Sequence, residues 1–373
     1  MKILELTNYS AGICGVFQRV KQESLELSKL GYEVAIFSSD KFKGSLEIAR
    51  SEDSIEKIKI KRFKSKKLGG ESFLSWDFLK EAVKFKPDIV IAHGYRHIHT
   101  TEALKLKEII GCKVFLVTHA PFVEKNSTRG RLGKIIVPLY DNFIGKRTIN
   151  QFDKIISITK WENKYLQELN LKKDKIFYIP NGIPEDFFKE KLKPSKHKNI
   201  LFFGRISPIK NLEVLIEAMS YLKDKNIFLK IVGTSEEPYT SKIKQMAKEL
   251  KLENKIVFLP PIYELKEKIN LISSSDVFVL PSLREAMPQG LIEAMSLGKV
   301  VIASETKGAK EIIKNNKNGF LFEIGNSKEL AEKINFALDK KNTSKIKEIQ
   351  KNARKSVEKF NWDILIKKLV SLF

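Results

Sequence analysis

Short apolar runs alternate with amphipathic stretches along nearly the whole chain, and this rhythm limits the fold more than any other feature. In the first half the runs are 3–6, 34–38, 58–63, 89–92, 114–118, 154–158 and 176–179. Helical periodicity fills most of the gaps, as over 17–30, 73–84 and 100–110. A strand that is apolar at successive positions is buried on both faces, and strands joined through helices pair in parallel. From 185 to 198 the chain turns polar and lysine-rich, which marks a linker. A second series follows at 200–203, 227–232, 256–259, 277–280, 300–303 and 320–322. The pattern predicts an α/β protein of two Rossmann-like domains, 1–190 and 191–355, with an apolar helix in a closing segment, 356–373. A chain of 373 residues is long enough for each domain to bury its own core.

Ligands of parallel sheets gather beyond the carboxyl ends of the strands, so the residues just after each run are the candidates. After 277–280, Pro281 ends the strand, Pro288 suits the first turn of a helix, and Gly298 stops that helix. Glu285 falls in the loop and Glu293 inside the helix, with seven residues between them. Free N–H groups at the helix start, around Gly290 and Leu291, favour an anion. A carboxylate on each side of an anion-binding turn suits hydroxyl groups flanking a diphosphate, which is the chemistry of a nucleotide sugar. After 200–203, Arg205 and Lys210 stand five apart around a turn. Arginine offers phosphate oxygens a planar fork and lysine a point charge.

The first half offers weaker candidates. Gly12 and Gly15 follow the run 3–6 and allow close backbone approach to a ligand, or form an ordinary turn. His97 and His99 follow the run 89–92, where they line a site or merely cap and solvate the next helix. No carboxylate or cysteine lies beside them in sequence at ligand spacing, so a metal site is not expected there. His119 closes the run 114–118, as a site residue or as a satisfied core or loop histidine.

The string around Glu285 and Glu293, PS..E....LIEAM..G..VIAS, resembles the paired-glutamate signature of the retaining GT-B glycosyltransferases, family four (glycosyl transferases group 1). Gly204-Arg205 with Lys210-Asn211 resembles that family's diphosphate clamp, and the glycine loop, His119 and Phe360-Asn361-Trp362-Asp363 are also similar to family positions. The chain departs from the family at Ala286, Met287 and Pro288, where Gly, an aromatic and Gly are common. The resemblance implies two Rossmann-like domains facing each other across a cleft, an acceptor-binding first and a donor-binding second, with 356–373 packing back on the first. It implies transfer of a sugar from a UDP- or GDP-sugar to a glycan or lipid-linked acceptor, with retention, in polysaccharide or glycolipid biosynthesis. Arg205, Lys210, Glu285 and His119 would be catalytic, and Gly15, Arg205, Lys210, Glu285, Gly290, Leu291 and Glu293 would bind the donor. In that scheme Glu293 holds the ribose hydroxyls, Glu285 and His119 orient the sugar, and the departing phosphate takes the acceptor's proton. No Asp-x-Asp motif is present, so neither a metal nor another cofactor is expected beside the nucleotide sugar. A nucleotide-sugar 2-epimerase and a non-catalytic sugar-nucleotide-binding protein of the same fold remain alternatives.

Composition bears on partners and place. The formal charge of +23 favours anionic partners, but no helix-turn-helix, zinc-finger or RNP-like signature accompanies it, so nucleic acid is not expected. Two cysteines, no apolar run of about 18 residues and an N-terminus that enters a strand directly point to the cytoplasm. Between Lys57 and Lys67 seven cations occur without an acid, and Phe73, Trp76, Leu79 and Lys80 follow at helical spacing. Lys125, Arg129, Arg131 and Lys134 flank a second apolar string. These groups suit peripheral docking on an anionic inner membrane face. The alternative is a solvated lysine-rich surface with Trp76 in the core.

Overall fold

The computed structural model describes residues 1–12, 14–43, 47–69, 73–122, 131–190, 198–224 and 226–373, without the side chains of 131–134. The chain divides into two units, Met1–Gly182 with Trp362–Phe373, and Ile183–Asn361. Each is built on a mainly parallel sheet with helical connections, as the alternating pattern requires.

In the first unit the strands are β1 (Lys2–Thr7), β2 (Glu33–Ser39), β3 (Glu52–Ile55), β4 (Ile58–Phe63), β5 (Ser65–Lys67), β6 (Leu74–Trp76), β7 (Ile89–His93), β8 (Lys113–Val117), β9 (Lys154–Ser157) and β10 (Ile176–Tyr178). The main sheet runs β10-β9-β8-β7-β1-β2-β4-β3. It therefore grows outward from β1 in both directions and switches between β1 and β7. The second unit holds β11 (Asn199–Phe203), β12 (Phe228–Val232), β13 (Ile256–Leu259), β14 (Val277–Leu280), β15 (Val300–Ser304) and β16 (Phe320–Phe322). Their order is β13-β12-β11-β14-β15-β16, all neighbours parallel, with the switch between β11 and β14. This is the doubly wound order of dinucleotide-binding folds. Every residue of β7, β14 and β15 is buried, as a strand covered on both faces must be.

Three strands escape the sequence reading. β3 pairs antiparallel with β4 as an edge hairpin, and its residues EDSI carry too little apolar signal to be read. β5 and β6 form a separate antiparallel pair. The expected helix 73–84 is thus β6 followed by the helix Leu79–Phe85. Leu74 and Trp76 point into the core with the period of two of a strand, where a spacing of three had suggested a helix. Trp76 is buried, stacks on Phe63, meets Phe78 at a tilt and donates its Nε1–H to Asn8 Oδ1, so it is unavailable to a membrane. The basic string is also less free than its sequence implies. Arg62 is buried, donating to Ser10 Oγ at 2.8 Å and Asp53 Oδ2 at 3.0 Å, and Lys61 pairs with Glu81 at 2.7 Å. Lys57, Lys59, Lys64, Lys66 and Lys67 are exposed. Of the linker 185–198, the short helix Asp186–Lys189 belongs to the second unit, and 191–197 lie outside the described residues. Lys125 and Arg129 also lie outside them, as do the side chains of Arg131 and Lys134.

The closing helix Trp362–Val370 packs in the first unit with the helix Gly15–Lys29, burying Trp362, Leu365, Ile366 and Leu369. Arg19 lies 5.4 Å from the Trp362 ring centre.

The close approach of strand ends in the second unit depends on glycine. At Gly233 φ is +152°, and a Cβ there would stand 1.8 Å from the Gly204 carbonyl oxygen. Gly233→Ala should therefore cost about 3 kcal/mol, because backbone rather than a flexible side chain must yield. A lower urea midpoint for this variant, at unchanged slope, is the expected result.

Candidate active site

In the second unit two loops meet at the switch point. β11 leads into Gly204 and Arg205 and then a 3-10 turn, Pro208–Lys210, while β14 leads into Pro281 and Ser282. The Leu283 N–H donates to the Ile209 carbonyl at 2.9 Å, tying the loops together. Lys210 Nζ donates to Glu285 Oε1 at 2.6 Å, and Ser282 Oγ donates to the same oxygen at 2.7 Å. Both charged side chains are sheltered, at 20% and 12% exposure. Arg205 is more open, at 42%, and its Nη1 donates to Glu236 Oε1 at 2.8 Å. The structure thus brings Lys210 to Glu285 but gives Arg205 a different partner.

Glu285 stands where the loop is held from outside. Gly308, in the helix Lys307–Ile312, donates its N–H to the Glu285 carbonyl at 3.2 Å, and a Cβ on it would lie 2.5 Å from the Ala286 carbonyl oxygen. A glycine facing the loop supplies the space that Ala286 and Pro288 do not. In the helix Gln289–Ser296, Glu293 is buried and accepts from Lys268 Nζ at 2.5 Å. Lys268 also sits 5.0 Å from the Phe203 ring centre. Gly290 abuts Phe278, whose Cζ would be 3.1 Å from an added Cβ. The Leu291 side chain is fully buried, and its N–H donates to the Pro288 carbonyl at 3.1 Å.

In the first unit Gly15 opens the helix Gly15–Lys29, and among the described residues no atom beyond its chain neighbours and its own helix backbone lies within 4 Å of where its Cβ would be. His119 follows β8 with φ +57°, a left-handed conformation unusual outside glycine. Its Nε2 meets His93 Nδ1 at 2.9 Å, and His93 Nε2 meets Glu5 Oε2 at 2.7 Å. Burial pushes the Glu5 carboxyl well up, against the pull of Arg19. It pushes His93 down to about 3 and His119 well below the ordinary imidazole range, so both rings are neutral near pH 7. Arg19 Nε donates to Glu23 Oε2 at 3.0 Å, and its Nη1 to the Ile179 carbonyl and Asn181 Oδ1. Carboxylates from elsewhere in the chain reach His93, which spacing within the histidine segment does not reveal. Ligand atoms of Glu5, Glu23 and His93 lie within 4.8 Å of one another. The topology brings them there from β1 and the first helix, and the cation they face is Arg19. His99 is a core residue beside Trp76, and His97 occupies the N-cap position of the helix Ile98–Ile110.

Sequence reasoning missed Lys268, Ser282, Gly308, Glu236, Glu5 and His93. Lys268 is one lysine among many, and nothing local distinguishes it. Glu5 did carry a signal, since a carboxylate in the middle of a buried strand demands a partner.

Residues 184–356 match the family model described as Glycosyl transferases group 1, and residues 13–187 the model described as Glycosyltransferase Family 4. An uncharacterized glycosyltransferase of Haemophilus influenzae is 30% identical over 211 residues, 53% of this chain and 58% of that protein. The N,N'-diacetylbacillosaminyl-diphospho-undecaprenol alpha-1,3-N-acetylgalactosaminyltransferase of Campylobacter jejuni is 28% identical over 206 residues, 55% of this chain and 52% of its own length. The chain thus spans little more than half of either relative. Anabaena HepE, solved in complex with UDP-glucose, superposes with a TM-score of 0.75 at 21% identity, over 100% of both chains. At that identity the likeness is one of fold.

A pH dependence follows from His97, whose Nδ1 meets Asn8 Nδ2 at 2.6 Å. Burial, then Lys43, lowers its pKa to about 4. The unfolded chain, with an ordinary value of about 6.5, takes the proton first as pH falls. Stability is therefore lost from about pH 6.5 down to about 4, at up to about 1.4 kcal/mol per pH unit. His97→Gln should lose stability less steeply over that window in urea titrations at a series of pH values. A parallel decline in both proteins would contradict this.

Proposed function

We propose, for a chain that belongs to the group 1 glycosyltransferases of family 4 and has their GT-B fold, that it moves a sugar from a nucleoside diphosphate sugar to a glycan or lipid-linked acceptor, with retention. The observation that carries this reading is the Lys210–Glu285 pair at the β11/β14 switch point, where doubly wound sheets receive nucleotides. As the glycosidic bond breaks, the diphosphate gains negative charge. Lys210 and Arg205 are positive groups already held in place by carboxylates, and such preorganised charge stabilises a leaving group without reorganisation at the moment of reaction. They take the part a divalent cation would otherwise play, so the reading is of a metal-independent enzyme. Glu293 would hold the ribose hydroxyls, Glu285 the sugar, the Gly290 amide a phosphate oxygen, and Gly15 and His119 the donor from the first unit. The acceptor hydroxyl attacks the face the diphosphate leaves, and its proton passes to the departing phosphate oxygen. The UDP-glucose bound by the Anabaena protein supports a UDP-sugar donor, and the Campylobacter enzyme's name supports a lipid-linked acceptor.

A lipid-linked acceptor would bring the enzyme to a bilayer, and one surface of the first unit suits it. Among the described residues no helix is long and apolar enough to cross a membrane. In the helix Arg131–Tyr140 and the π-helical segment Asp141–Gly145 that continues it, Ile135, Leu139 and Phe143 are 63%, 51% and 69% exposed. Lys146 and Arg147 follow directly, and Arg131 and Lys134 lie in the helix's own sequence. Apolar side chains beside cations fit an anionic bilayer surface. Flotation with anionic but not neutral liposomes is expected, lost in Ile135→Ser/Phe143→Ser. Absence of flotation at low salt would refute the contact.

Incubation with radiolabelled nucleotide sugars separates transfer from epimerisation and from binding alone. Arg205→Ala and Lys210→Ala should each lower kcat/KM about 10²-fold, on the scale of a lost oxyanion donor. Glu293→Gln should weaken calorimetric binding of the nucleoside diphosphate, whereas Glu285→Gln should weaken only the full donor. Normal turnover in both alanine variants would overturn the site.

A further inference from the structure

The first unit contains a chain of hydrogen bonds whose direction can be worked out. It runs from Glu5 in β1 through His93 at the end of β7 to His119 after β8, across three neighbouring strands at the switch point. Glu5 and His93 are wholly buried, and His119 is partly exposed at the sheet's carboxyl end. Each imidazole is neutral, so each carries one proton and offers one lone pair. A proton fixed at one end of the chain therefore fixes every bond along it.

Two directions are available. An ionised Glu5 accepts from His93 Nε2–H. His93 Nδ1 is then bare and accepts from His119 Nε2–H, which leaves His119 Nδ1 a lone pair. A protonated Glu5 donates to His93 Nε2. His93 Nδ1–H then donates to His119 Nε2, which leaves His119 Nδ1–H a donor.

The surroundings favour the second. The ligand oxygens of Glu5 and Glu23 lie within 4.8 Å of each other, and the guanidinium beside them, Arg19, is bonded to Glu23. Two carboxylates sharing one cation in a buried site do not both ionise. The one that keeps its proton is the one without the guanidinium bond. Glu5 Oε1 and Glu23 Oε1 are both buried without a hydrogen-bond partner among the described residues, so two carboxylate charges here would be very costly, and only Glu23 has a guanidinium bond to offset its own.

We propose that Glu5 and His93 are positioning residues that hold His119 as its Nδ1–H tautomer, so that His119 presents a hydrogen-bond donor, not an acceptor, at the sheet's carboxyl end. The identity of the group it meets, a hydroxyl oxygen of the donor sugar, rests on the function proposed above. The tautomer does not.

Long-range nitrogen–proton NMR on protein labelled in its histidine rings tests the relay without substrate. Nδ1–H on both His93 and His119 at neutral pH is expected. Nε2–H on both would overturn the proposal. Glu5→Gln places an amide N–H where the acid proton was and should keep both tautomers. Glu5→Leu, which removes the donor, should leave His119 as a mixture. In transfer assays Glu5→Leu should lower kcat/KM about tenfold, mainly by raising the donor KM, and Glu5→Gln should recover most of that loss. An equal loss in both variants would show that Glu5 acts by packing, and would also overturn the proposal. Should Glu5→Leu fail to fold, the tautomers of the parent and Glu5→Gln still decide. A protein with Nδ1–H on both rings that turns over no nucleotide sugar would support the relay and refute the glycosyltransfer reading instead.

Discussion

A parallel strand cannot turn straight back on its neighbour, and the rest of this structure depends on that constraint. Each connection must cross a face of the sheet, so helices cover both faces and the strands beneath them become almost wholly apolar. Where the strand order reverses, adjacent loops leave toward opposite faces and open a crevice at the carboxyl edge. Both units place their candidate site residues at such a point. In the second unit Lys210 and Glu285 come from the loops after β11 and β14. In the first, Glu5 and His93 come from β1 and β7, with His119 one strand further out. Residues far apart in sequence meet there because the topology leaves them no other neighbour.

The excess of positive charge is a property of the whole chain, not of the candidate donor site. Arg205, Lys210 and Lys268 each face a carboxylate, respectively Glu236, Glu285 and Glu293. The cluster is therefore close to electrically neutral before any ligand arrives. A carboxylate beside each cation fixes its position and limits the cost of sheltering it. An anionic ligand must then compete for a cation that is already engaged, and what it gains is the difference between two partners. Such a site discriminates by geometry more than by net attraction, while the +23 charge acts at long range on any anionic partner or surface.

Thirteen apolar runs were legible, and all thirteen are strands, because two-sided burial writes itself as consecutive apolar residues. The strands that were not legible are those whose stability lies elsewhere. β3 is a polar edge, and β6 is three residues long with a spacing that imitates a helix. The Lys210 and Glu285 loops were legible from local strings of residues. Their contact was not, since it joins positions 75 apart. The partners of two cations in the basic string at 57–67 were not legible for the same reason. Its acids, Asp53 and Glu81, lie just outside it and reach back through the hairpin and the following helix. The string Asn326-Ser327-Lys328-Glu329 has the spacing of a capping box, and Asn326 Oδ1 accepts from the Glu329 N–H, but the Glu329 carboxylate accepts from the Glu323 N–H instead.

The network around Glu5 is the part of the molecule that packing alone explains least. Glu5 Oε1, Glu23 Oε1 and Arg19 Nη2 are all buried without hydrogen-bond partners among the described residues. Each such atom costs roughly 1–3 kcal/mol of desolvation. A set of apolar side chains of similar volume would fill the same space at no such cost, and buried ion pairs are commonly neutral or worse for stability when so compared. A core built only for stability would not keep two carboxyls, a guanidinium and two imidazoles between β1, β7 and the first helix. What the apolar replacement could not do is hold one ring at the sheet's edge in one tautomer. The cost is borne in the interior, and its effect appears at the single partly exposed member, His119.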